Sequence, residues 1–234
     1  SSYDRESVEI QSIIDSEVDY ASFGKTQLVK RGSYNYIINK RLNDADVEAL
    51  QARFPELGIS PVIGSLNSSY SIAENLGDMS KIGLDTYSSY YKSALSGFTV
   101  ITPETLEKLG YTLQGKLPSA AEEIVVTDYI LEHFIKAGYV IAGDTSVQPV
   151  ADADDLIGKT LKLSLGGQAR LFTVSGVIHT GFDSSRYDNL KNTDAGSNGT
   201  IIDYMTVQDL QQVIKNSYLA LGFVSGEAFD SLRS

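Results

Sequence analysis

The sequence contains no cysteine and only two histidines among its 234 residues. Without cysteine the chain can form no disulfide, no thiol nucleophile and no thiolate metal site. His133 and His179 have no serine or aspartate nearby at a spacing typical of a catalytic triad, and no further ligands cluster around them as a zinc site requires. We therefore predict that the chain is not an enzyme and holds neither a metal nor another cofactor.

Long apolar runs and an excess of basic residues are also missing. No stretch approaches the roughly 20 apolar residues of a membrane-spanning helix. The formal net charge is -11 and the pI is near 4.6, so nucleic acid and anionic lipid surfaces would be repelled. An apolar content of 42% indicates a folded globular chain that can bury a sizeable core.

The acidic run at Asp152, Asp154 and Asp155 is the best candidate for a calcium loop. The pattern of such a loop would require different residues at three later positions, Leu156, Ile157 and Leu163. We therefore interpret the run as acidic residues ahead of a helical turn, where the helix dipole favours negative charge.

The clearest structural signals lie in residues 110–190. Residues 123–126 are apolar and branched, which predicts a strand, and Thr127 is suited to cap the helix that follows. Gly138 would end that helix by taking a positive φ. Its apolar stripe would comprise Ile130, Phe134 and Ala137, with Leu131 and Ile135 beside it.

A hairpin is predicted after this helix. Leucines alternate with polar residues over 161–165, and Gly166-Gly167 suits a tight turn. A two-residue loop would place Leu163 opposite Arg170, whereas a three-residue loop with a glycine bulge would place it opposite Leu171. We favour the bulged loop, because facing residues in a hairpin share one side of the sheet.

Four motifs of this block, taken in order, resemble the extracytoplasmic domain of FtsX/MacB-type ABC transporter permeases, the MacB-like periplasmic core domain. They are Gly-Lys-Leu-Pro at 115–118, Glu-Ile-Val-Val-Thr at 123–127, Leu-Ile-Gly-Lys-Thr-Leu-Lys-Leu at 156–163 and Phe-Thr-Val-Ser-Gly-Val-Ile at 172–178. In that family they belong to a flap-like, sabre-type α+β subdomain, which is inserted into a porter-like β-α-β subdomain.

The resemblance implies an α+β fold class and three chain segments. Residues 1–64 would hold an N-terminal helix and the first half of the porter-like subdomain. Residues 65–190 would form the inserted sabre-like subdomain, and residues 191–234 a truncated second half of the porter-like subdomain.

The resemblance also implies a function. The chain would be a non-catalytic domain on the extracytoplasmic side of the cell membrane, excised from between membrane helices that are absent from it. Its partners would be an ABC ATPase subunit or domain, reached through those helices, and a peptide, lipid or protein outside. The full-length protein would be a dimer that couples cytoplasmic ATP hydrolysis to an extracytoplasmic process.

The N-terminal part is predicted from its apolar spacing. Residues 1–20 place isoleucines and a valine four apart, which indicates an amphipathic helix. Strands are predicted at 25–30 and 34–38. A helix capped by Asn43 and a strand at 59–63 would complete a β-α-β unit over 34–63.

The C-terminal part is predicted from its turn and cap signals. Residues 184–200 are polar and would form a connector, the part of the chain most prone to disorder. A strand over 199–204 would follow, and Thr206 would then cap a helix. Residues 219–223 alternate as a last strand.

The tyrosine-rich stretch before residue 96 leaves two interpretations open. Tyr87, Tyr90 and Tyr91 could form an exposed recognition surface, because tyrosine offers a rigid apolar body with a polar tip. They could instead be strand residues half buried against the sheet, which is the interpretation we favour. The first interpretation supports an alternative function, a secreted ligand-binding or adhesive module, and a hydrolase built from dispersed carboxylates is a further alternative.

Overall fold

The computed structural model describes residues 5–12, 21–31, 33–40, 42–55, 60–64, 70–83, 90–165, 168–191, 201–215 and 217–233. Contacts divide the chain into two compact units, Ser1–Pro61 and Val62–Ser234. This division has one boundary, whereas the sequence predicts boundaries after residues 64 and 190. The fold class is mixed α+β, as predicted.

The first unit contains a three-stranded antiparallel sheet with its second strand in the middle. The strands are β1 (Arg5–Ser12), β2 (Ala21–Arg31) and β3 (Tyr34–Lys40). The amphipathic helix predicted for residues 1–20 is wrong over residues 5–12, which pair with β2, and the rest of that prediction lies outside the described residues. Over this stretch Val8 and Ile10 alternate with polar residues, which is the period of a strand and not of a helix.

Helix α1 (Asp44–Arg53) follows the sheet and begins at the predicted cap. The Asn43 side chain accepts from the Asp46 amide and the Asp46 side chain accepts from the Asn43 amide, both at 2.9 Å. This reciprocal pair is a capping box. The β-α-β unit predicted over 34–63 is wrong, because β3 pairs with its hairpin neighbour β2 and residues 62–64 belong to another sheet. The short connection between β2 and β3 favours this local antiparallel pairing.

Among the described residues of the second unit, nine strands form one mixed sheet. These strands are β4 (Val62–Gly64), β5 (Tyr70–Ser71), β6 (Ala94–Leu95), β7 (Gly97–Thr99), β8 (Thr112–Gly115), β9 (Glu123–Thr127), β10 (Thr160–Leu165), β11 (Gln168–His179) and β12 (Leu221–Val224). The helices are α2 (Pro103–Leu109), α3 (Asp128–Ala137), α4 (Ala153–Leu156), α5 (Asp188–Lys191), α6 (Ile201–Lys215) and α7 (Gly226–Arg233).

The strand order is β4-β7-β12-β9-β11-β10-β5-β6, and β8 pairs with β11 beside this path. Strands β9 and β12 lie in the middle and are buried along almost their whole length. Such strands read as continuous apolar runs because both faces are covered. Residues 94–99 contribute two strands to the sheet. Strand β6 pairs with β5, whereas β7 pairs with both β12 and β4.

Helix α3 follows β9 directly, as predicted. The Thr127 hydroxyl accepts from the Ile130 amide at 3.4 Å and donates to the Leu219 carbonyl, so it also fixes the helix to the chain entering β12. Gly138 ends the helix with φ 76°. The predicted stripe of Ile130, Phe134 and Ala137 is buried, and of the two residues beside it Leu131 is buried whereas Ile135 is 46% exposed.

The predicted register of the β10-β11 hairpin is wrong. Leu163 faces Arg170, as in a two-residue loop, and Leu161 faces Phe172. Leu161 and Phe172 are buried, whereas Leu171 is 60% exposed. This register buries the larger aromatic side chain, and the Arg170 guanidinium then lies 5.3 Å from the centre of the Phe172 ring. The glycine turn itself, Gly166-Gly167, lies outside the described residues.

Strand β11 holds the motif block together. It pairs with β10, with β9 and with β8, and its register against β9 shifts between Val174 and Gly176. A Cβ atom on Gly176 would lie 2.8 Å from the carbonyl oxygens of Gln114 and Lys116. Only glycine permits this close approach of two backbones.

The predictions for residues 184–204 are partly wrong. Residues 184–187 form a 3₁₀ turn and α5 follows, with Tyr187 and Leu190 buried. Residues 201–204 are helical, and α6 starts before Thr206, so neither the predicted strand nor the predicted cap exists. A short apolar run does not distinguish a strand from a buried helix by periodicity alone. Residues 192–200 lie outside the described part of the chain.

Buried Asn75 connects three segments of the second unit. Its side-chain nitrogen donates to the Val140 carbonyl at 3.0 Å, and its side-chain oxygen accepts from the Lys162 amide at 2.6 Å. Replacement by alanine would leave both backbone groups buried and unpaired. We predict that Asn75→Ala lowers the free energy of unfolding by about 2–4 kcal/mol, measured by urea denaturation. Gln211→Ala, on the exposed side of α6, should change it by less than about 0.5 kcal/mol.

Candidate functional site: a tyrosine cluster and the cleft beside it

The predicted tyrosine surface is largely buried. Tyr90 is 0% exposed and Tyr91 is 5% exposed, so the exposed recognition surface is wrong for these two residues. Tyr87 lies outside the described residues. The burial of Tyr90 and Tyr91 has a physical cause, because their hydroxyls have a partner inside the protein.

That partner is Glu132 on α3. Tyr90 donates its hydroxyl hydrogen to Glu132 at 3.0 Å, and the Tyr91 hydroxyl lies 3.5 Å from the other carboxylate oxygen. The Lys191 ammonium lies 2.9 Å from the carboxylate and 4.7 Å from the centre of the Tyr90 ring. One carboxylate therefore joins α3, residues 90–91 and the end of α5.

Four aromatic rings, those of Tyr90, Tyr91, Tyr129 and His133, pack edge to face around this junction, and the Tyr187 ring lies tilted by 32° against Tyr90. We name the tyrosine cluster by its seven members, Tyr90, Tyr91, Tyr129, Glu132, His133, Tyr187 and Lys191. Ring centres lie 5.0 Å apart for Tyr90 and Tyr91, and 5.3 Å apart for Tyr90 and Tyr129. Such geometry is favoured by the ring quadrupoles over face-to-face stacking.

The cluster keeps its tyrosines neutral. Burial raises the pKa of Tyr90 and of Tyr91 well above the ordinary value, and the nearby Glu132 carboxylate raises both further. The hydroxyls thus remain donors to Glu132 at any physiological pH. A neutral hydroxyl can donate to the carboxylate, whereas an ionised one would be repelled by it.

His133 is fully buried in the same cluster. Its Nδ1 lies 2.9 Å from the Tyr129 carbonyl oxygen and its Nε2 lies 3.1 Å from the Lys92 carbonyl oxygen. A neutral imidazole carries one N–H, so it donates to only one of the two carbonyls. Burial lowers the pKa of His133 to about 4, against the opposing effects of the two carbonyls and of Glu132. His133 is therefore neutral at pH 7 and has a structural role.

A cleft of about 340 Å³ lies beside the cluster. Every residue from 91 to 96 lines it, together with Ile82, Gly83, Tyr129, Ile214 and Ala220. The wall that faces the cluster is thus the same chain stretch whose carbonyl groups contact His133 and, at Tyr90, the Tyr129 hydroxyl. The cluster fixes the shape of the cleft.

The other residues considered in the sequence have structural partners. His179 contacts Gln114 with 3.0 Å between Nε2 and Oε1. Asp152 caps α4, Asp154 accepts from the Gln114 side chain at 2.7 Å, and Asp155 accepts from the Ala151 amide. Within the described residues, no group of three or more His, Asp or Glu side chains could hold a metal ion.

The sequence analysis did not identify Glu132 or Lys191 as members of a site, and it did not indicate that α3 contributes side chains to the tyrosine cluster. One signal was present, since Glu132 is a charged residue inside a helix whose neighbouring positions are mostly apolar. Such a residue needs a partner when it is drawn toward the core. The identity of that partner depends on residues about 40 and 60 positions away, which no local pattern reports.

Comparison with protein-family models, with curated proteins and with solved structures finds no match to this chain. Among the described residues, no helix is both long enough and apolar enough to cross a membrane.

His133 should make the second unit sensitive to acid. Its pKa is 6.5 in the unfolded chain and about 4 in the folded one, so the unfolded state binds more protons between these values. Stability is then fully present above pH 6.5 and falls as the pH drops toward 4. We predict a loss of about 3 kcal/mol from this residue, measured by denaturant unfolding at a series of pH values.

The variant His133→Gln isolates this effect, because other acidic groups titrate alike in both proteins. Its free energy of unfolding should depend less on pH between 6.5 and 4 than that of the wild type. Gln211→Ala, which removes no ionisable group from an exposed position, is the control and should retain the wild-type dependence. Equal pH dependence in the wild type and His133→Gln would show that His133 is not the group responsible.

The Glu132–Lys191 ion pair should stabilise the fold by more than the two side chains do separately. We predict a coupling energy of about 1 kcal/mol in a double-mutant cycle of Glu132→Gln and Lys191→Met. The value exceeds that of a typical surface pair because the two side chains are only 28% and 17% exposed. The more exposed Lys162–Glu74 pair, with exposures of 36% and 39%, provides the comparison cycle. A coupling no larger than that of this surface pair would contradict the role given to Glu132.

Proposed function

We propose that this chain is a non-catalytic extracytoplasmic domain of an ABC transporter permease of the FtsX/MacB type. In this proposal a cytoplasmic ABC ATPase moves membrane helices outside this chain. The domain relays that motion to a peptide, lipid or protein on the outer side of the cell membrane, within a dimeric permease. The observation that carries the proposal is the ordered set of four motifs between residues 115 and 178.

The pairing of the motif segments supports the proposal. Residues 156–163 lead into β10, residues 172–178 lie in β11, and residues 123–127 are β9. Strand β11 pairs with each of the other two, and with β8 just before the first motif. Motifs that lie apart in the sequence are thus neighbours in the sheet, on β11 and the strands that pair with it. We expect this of motifs that belong to one subdomain.

The first two motifs also support each other chemically. Glu123 accepts from the amides of Ser119 and Ala120 and lies 3.2 Å from the Lys116 ammonium. The hydrogen bonds from the Ser119 side chain and amide are the main cause that lowers the pKa of Glu123 to about 2. The carboxylate therefore holds residues 119–120, which directly follow the Gly-Lys-Leu-Pro motif, and pairs with Lys116 of that motif.

A domain that relays motion must not absorb it internally. Helix α3 is tied to residues 90–91 and to α5 through Glu132. Asp209 on α6 accepts from Tyr187 and pairs with Arg186, both at 2.8 Å. These side-chain links connect the motif block to the last helices of the unit and favour a stiff body over a reactive centre.

The resemblance further implies a porter-like subdomain made of residues 1–64 and 191–234, around an inserted sabre-type subdomain. The described strands pair differently, since β12 lies between β7 and β9 whereas β3 pairs with β2. This pairing weighs against the two-segment form of the porter-like subdomain. We therefore attach the proposal to the second unit, which contains all four motifs.

The proposal can be tested with single cysteines, because the chain has none of its own. Ser146→Cys places a thiol at an exposed position. In intact cells that express the complete gene, a membrane-impermeant maleimide should label it, and the labelled protein should sediment with membranes after a high-salt wash. The wild-type protein provides the background signal.

Ala153→Cys is the matched control, because Ala153 is buried and should react only after denaturation. Labelling of Ser146→Cys that requires cell lysis would place the domain in the cytoplasm and contradict the proposal. Labelled protein in the culture medium would instead support the secreted module. Because Tyr90 and Tyr91 are buried, a secreted module could not bind its ligand through them. Its binding site would then be the cleft.

A further inference from the structure

Strand β8 leaves one of its two edges open. It pairs with residues 176–179 of β11, whose other side is taken by β9 over residues 173–178. Among the described strands, β8 has no second neighbour. The amide and carbonyl groups along such an edge are a template for pairing with another chain.

The direction of the backbone groups of β8 follows from its contacts with β11. The Lys116 amide donates to the Ser175 carbonyl at 3.0 Å. The carbonyl oxygens of Gln114 and Lys116 both lie beside Gly176, since each would be 2.8 Å from a Cβ atom on it. Because hydrogen-bonding groups alternate along an antiparallel pair, the amide and the carbonyl of Leu113 point away from β11.

These outward groups of Leu113 have no partner within the described part of the chain. The residue is partly exposed, so both groups are hydrated. Strand β10 lies on the same side of β11 and differs. Its Lys162 amide donates to the Asn75 side chain, and its Thr160 carbonyl accepts from the Tyr139 hydroxyl at 2.7 Å. The edge is therefore covered along β10 and open along β8.

The open edge is short. The Tyr111 amide donates to the Leu106 carbonyl at 2.9 Å, which closes one end. At the other end Gly115 has a φ of 85°, outside the range of a regular strand. An added strand can thus pair regularly with residues 112–114 alone. The site has room for a segment of about three residues.

One face of this edge is acidic. The Gln114 side chain donates to Asp154 at 2.7 Å, and its oxygen lies 3.0 Å from the His179 ring, so Asp154 is held beside β8. Asp152 and Asp155 belong to the same helical turn. Within the described residues none of the three aspartates forms an ion pair. A cationic side chain on an added strand would supply the missing counter-charge.

We propose that the open edge of β8 binds an extended peptide that carries a lysine or an arginine directly before an aliphatic residue. The aliphatic residue pairs with Leu113 and exchanges two main-chain hydrogen bonds with it. In an antiparallel strand the preceding residue then lies opposite Gln114, on the face where Asp154 lies. The main-chain bonds give affinity and the side chains give specificity. The inference deepens the proposed function and rests on it only for the compartment in which the peptide is met.

The test uses the 234-residue chain and the peptide acetyl-Thr-Thr-Lys-Val-Thr-Thr-amide at about 1 mM. In the free protein the Leu113 amide should exchange with solvent rapidly, whereas the Gln114 amide, which faces β11, should be protected. The peptide should shift the NMR signals of residues 112–114 and slow the exchange of the Leu113 amide.

Matched peptides separate the main-chain and side-chain contributions. N-methylation of the valine removes the donor to the Leu113 carbonyl and should weaken binding at least about tenfold. A glutamate in place of the lysine would face Asp154 and should weaken binding about fivefold. Asp154→Asn should reduce this preference for lysine to less than about twofold. Asp230→Asn, which removes an exposed carboxylate on α7, should leave it unchanged.

The variant Leu113→Pro blocks the edge from the protein side. It removes the outward amide but no hydrogen bond to β11, a position where a strand tolerates proline. Binding should weaken at least about tenfold. Thermal melts of each variant establish that the fold is intact, and the N-methylated peptide tests the same edge on the wild-type protein.

Protection of the Leu113 amide in the free protein, at the level of the Gln114 amide, would show that the edge is closed and would overturn the proposal. Protection that appears only as the protein concentration rises would assign the edge to a second copy of the chain, with the same consequence. Binding that tolerates N-methylation, or equal affinity for the lysine and glutamate peptides, would also contradict it. The assay requires no membrane, so its failure and a failure of the cysteine-labelling experiment are separate results.

Discussion

The Glu132 carboxylate is the constraint on which the tyrosine cluster depends. A charged group that is largely removed from water must be paired and hydrogen-bonded, or it destabilises the fold by several kcal/mol. Glu132 meets this requirement with two tyrosine hydroxyls and the Lys191 ammonium. Because these partners come from separate chain segments, the position of one carboxylate fixes the positions of residues 90–91 and α5 relative to α3.

The contacts of the tyrosine cluster continue to other elements of the second unit. Helix α3 is fixed to the sheet by Thr127, whose hydroxyl bonds to the chain entering β12. At the other end of the cluster, Tyr187 and Arg186 bond to Asp209 on α6. A continuous set of side-chain contacts thus connects the motif block, the cleft wall and α6. Such an arrangement suits a body that transmits displacement, which is the reason for our preference for a relay over a catalyst.

The sequence predicts local features of this fold well and distant ones poorly. The caps at Asn43 and Thr127 and the glycine stop at Gly138 are confirmed, because each depends on a few adjacent residues. The hairpin register is wrong, since it is decided by the burial of Phe172 against the rest of the core. The exposure of Tyr90 and Tyr91 is also wrong, because their partner Glu132 lies 42 and 41 residues further along the chain.

The same limit applies to the body of the fold. The strand predicted after residue 218 exists as β12, but its neighbours, β7 and β9, do not follow from its own residues. Motifs that lie in one block leave the pairing of the flanking segments open. The candidate site was missed for this reason, since both the cluster and the cleft form where distant segments meet.

Native-state hydrogen exchange tests the central claim, that Glu132 ties three segments into one cooperative unit, most directly. The account predicts that the amides of residues 90–96, 184–191 and α3 open with a common free energy. It also predicts that Glu132→Ala lowers that free energy for all three together. Exchange of residues 184–191 at near-zero opening free energy, independent of α3 and unchanged by Glu132→Ala, would contradict it.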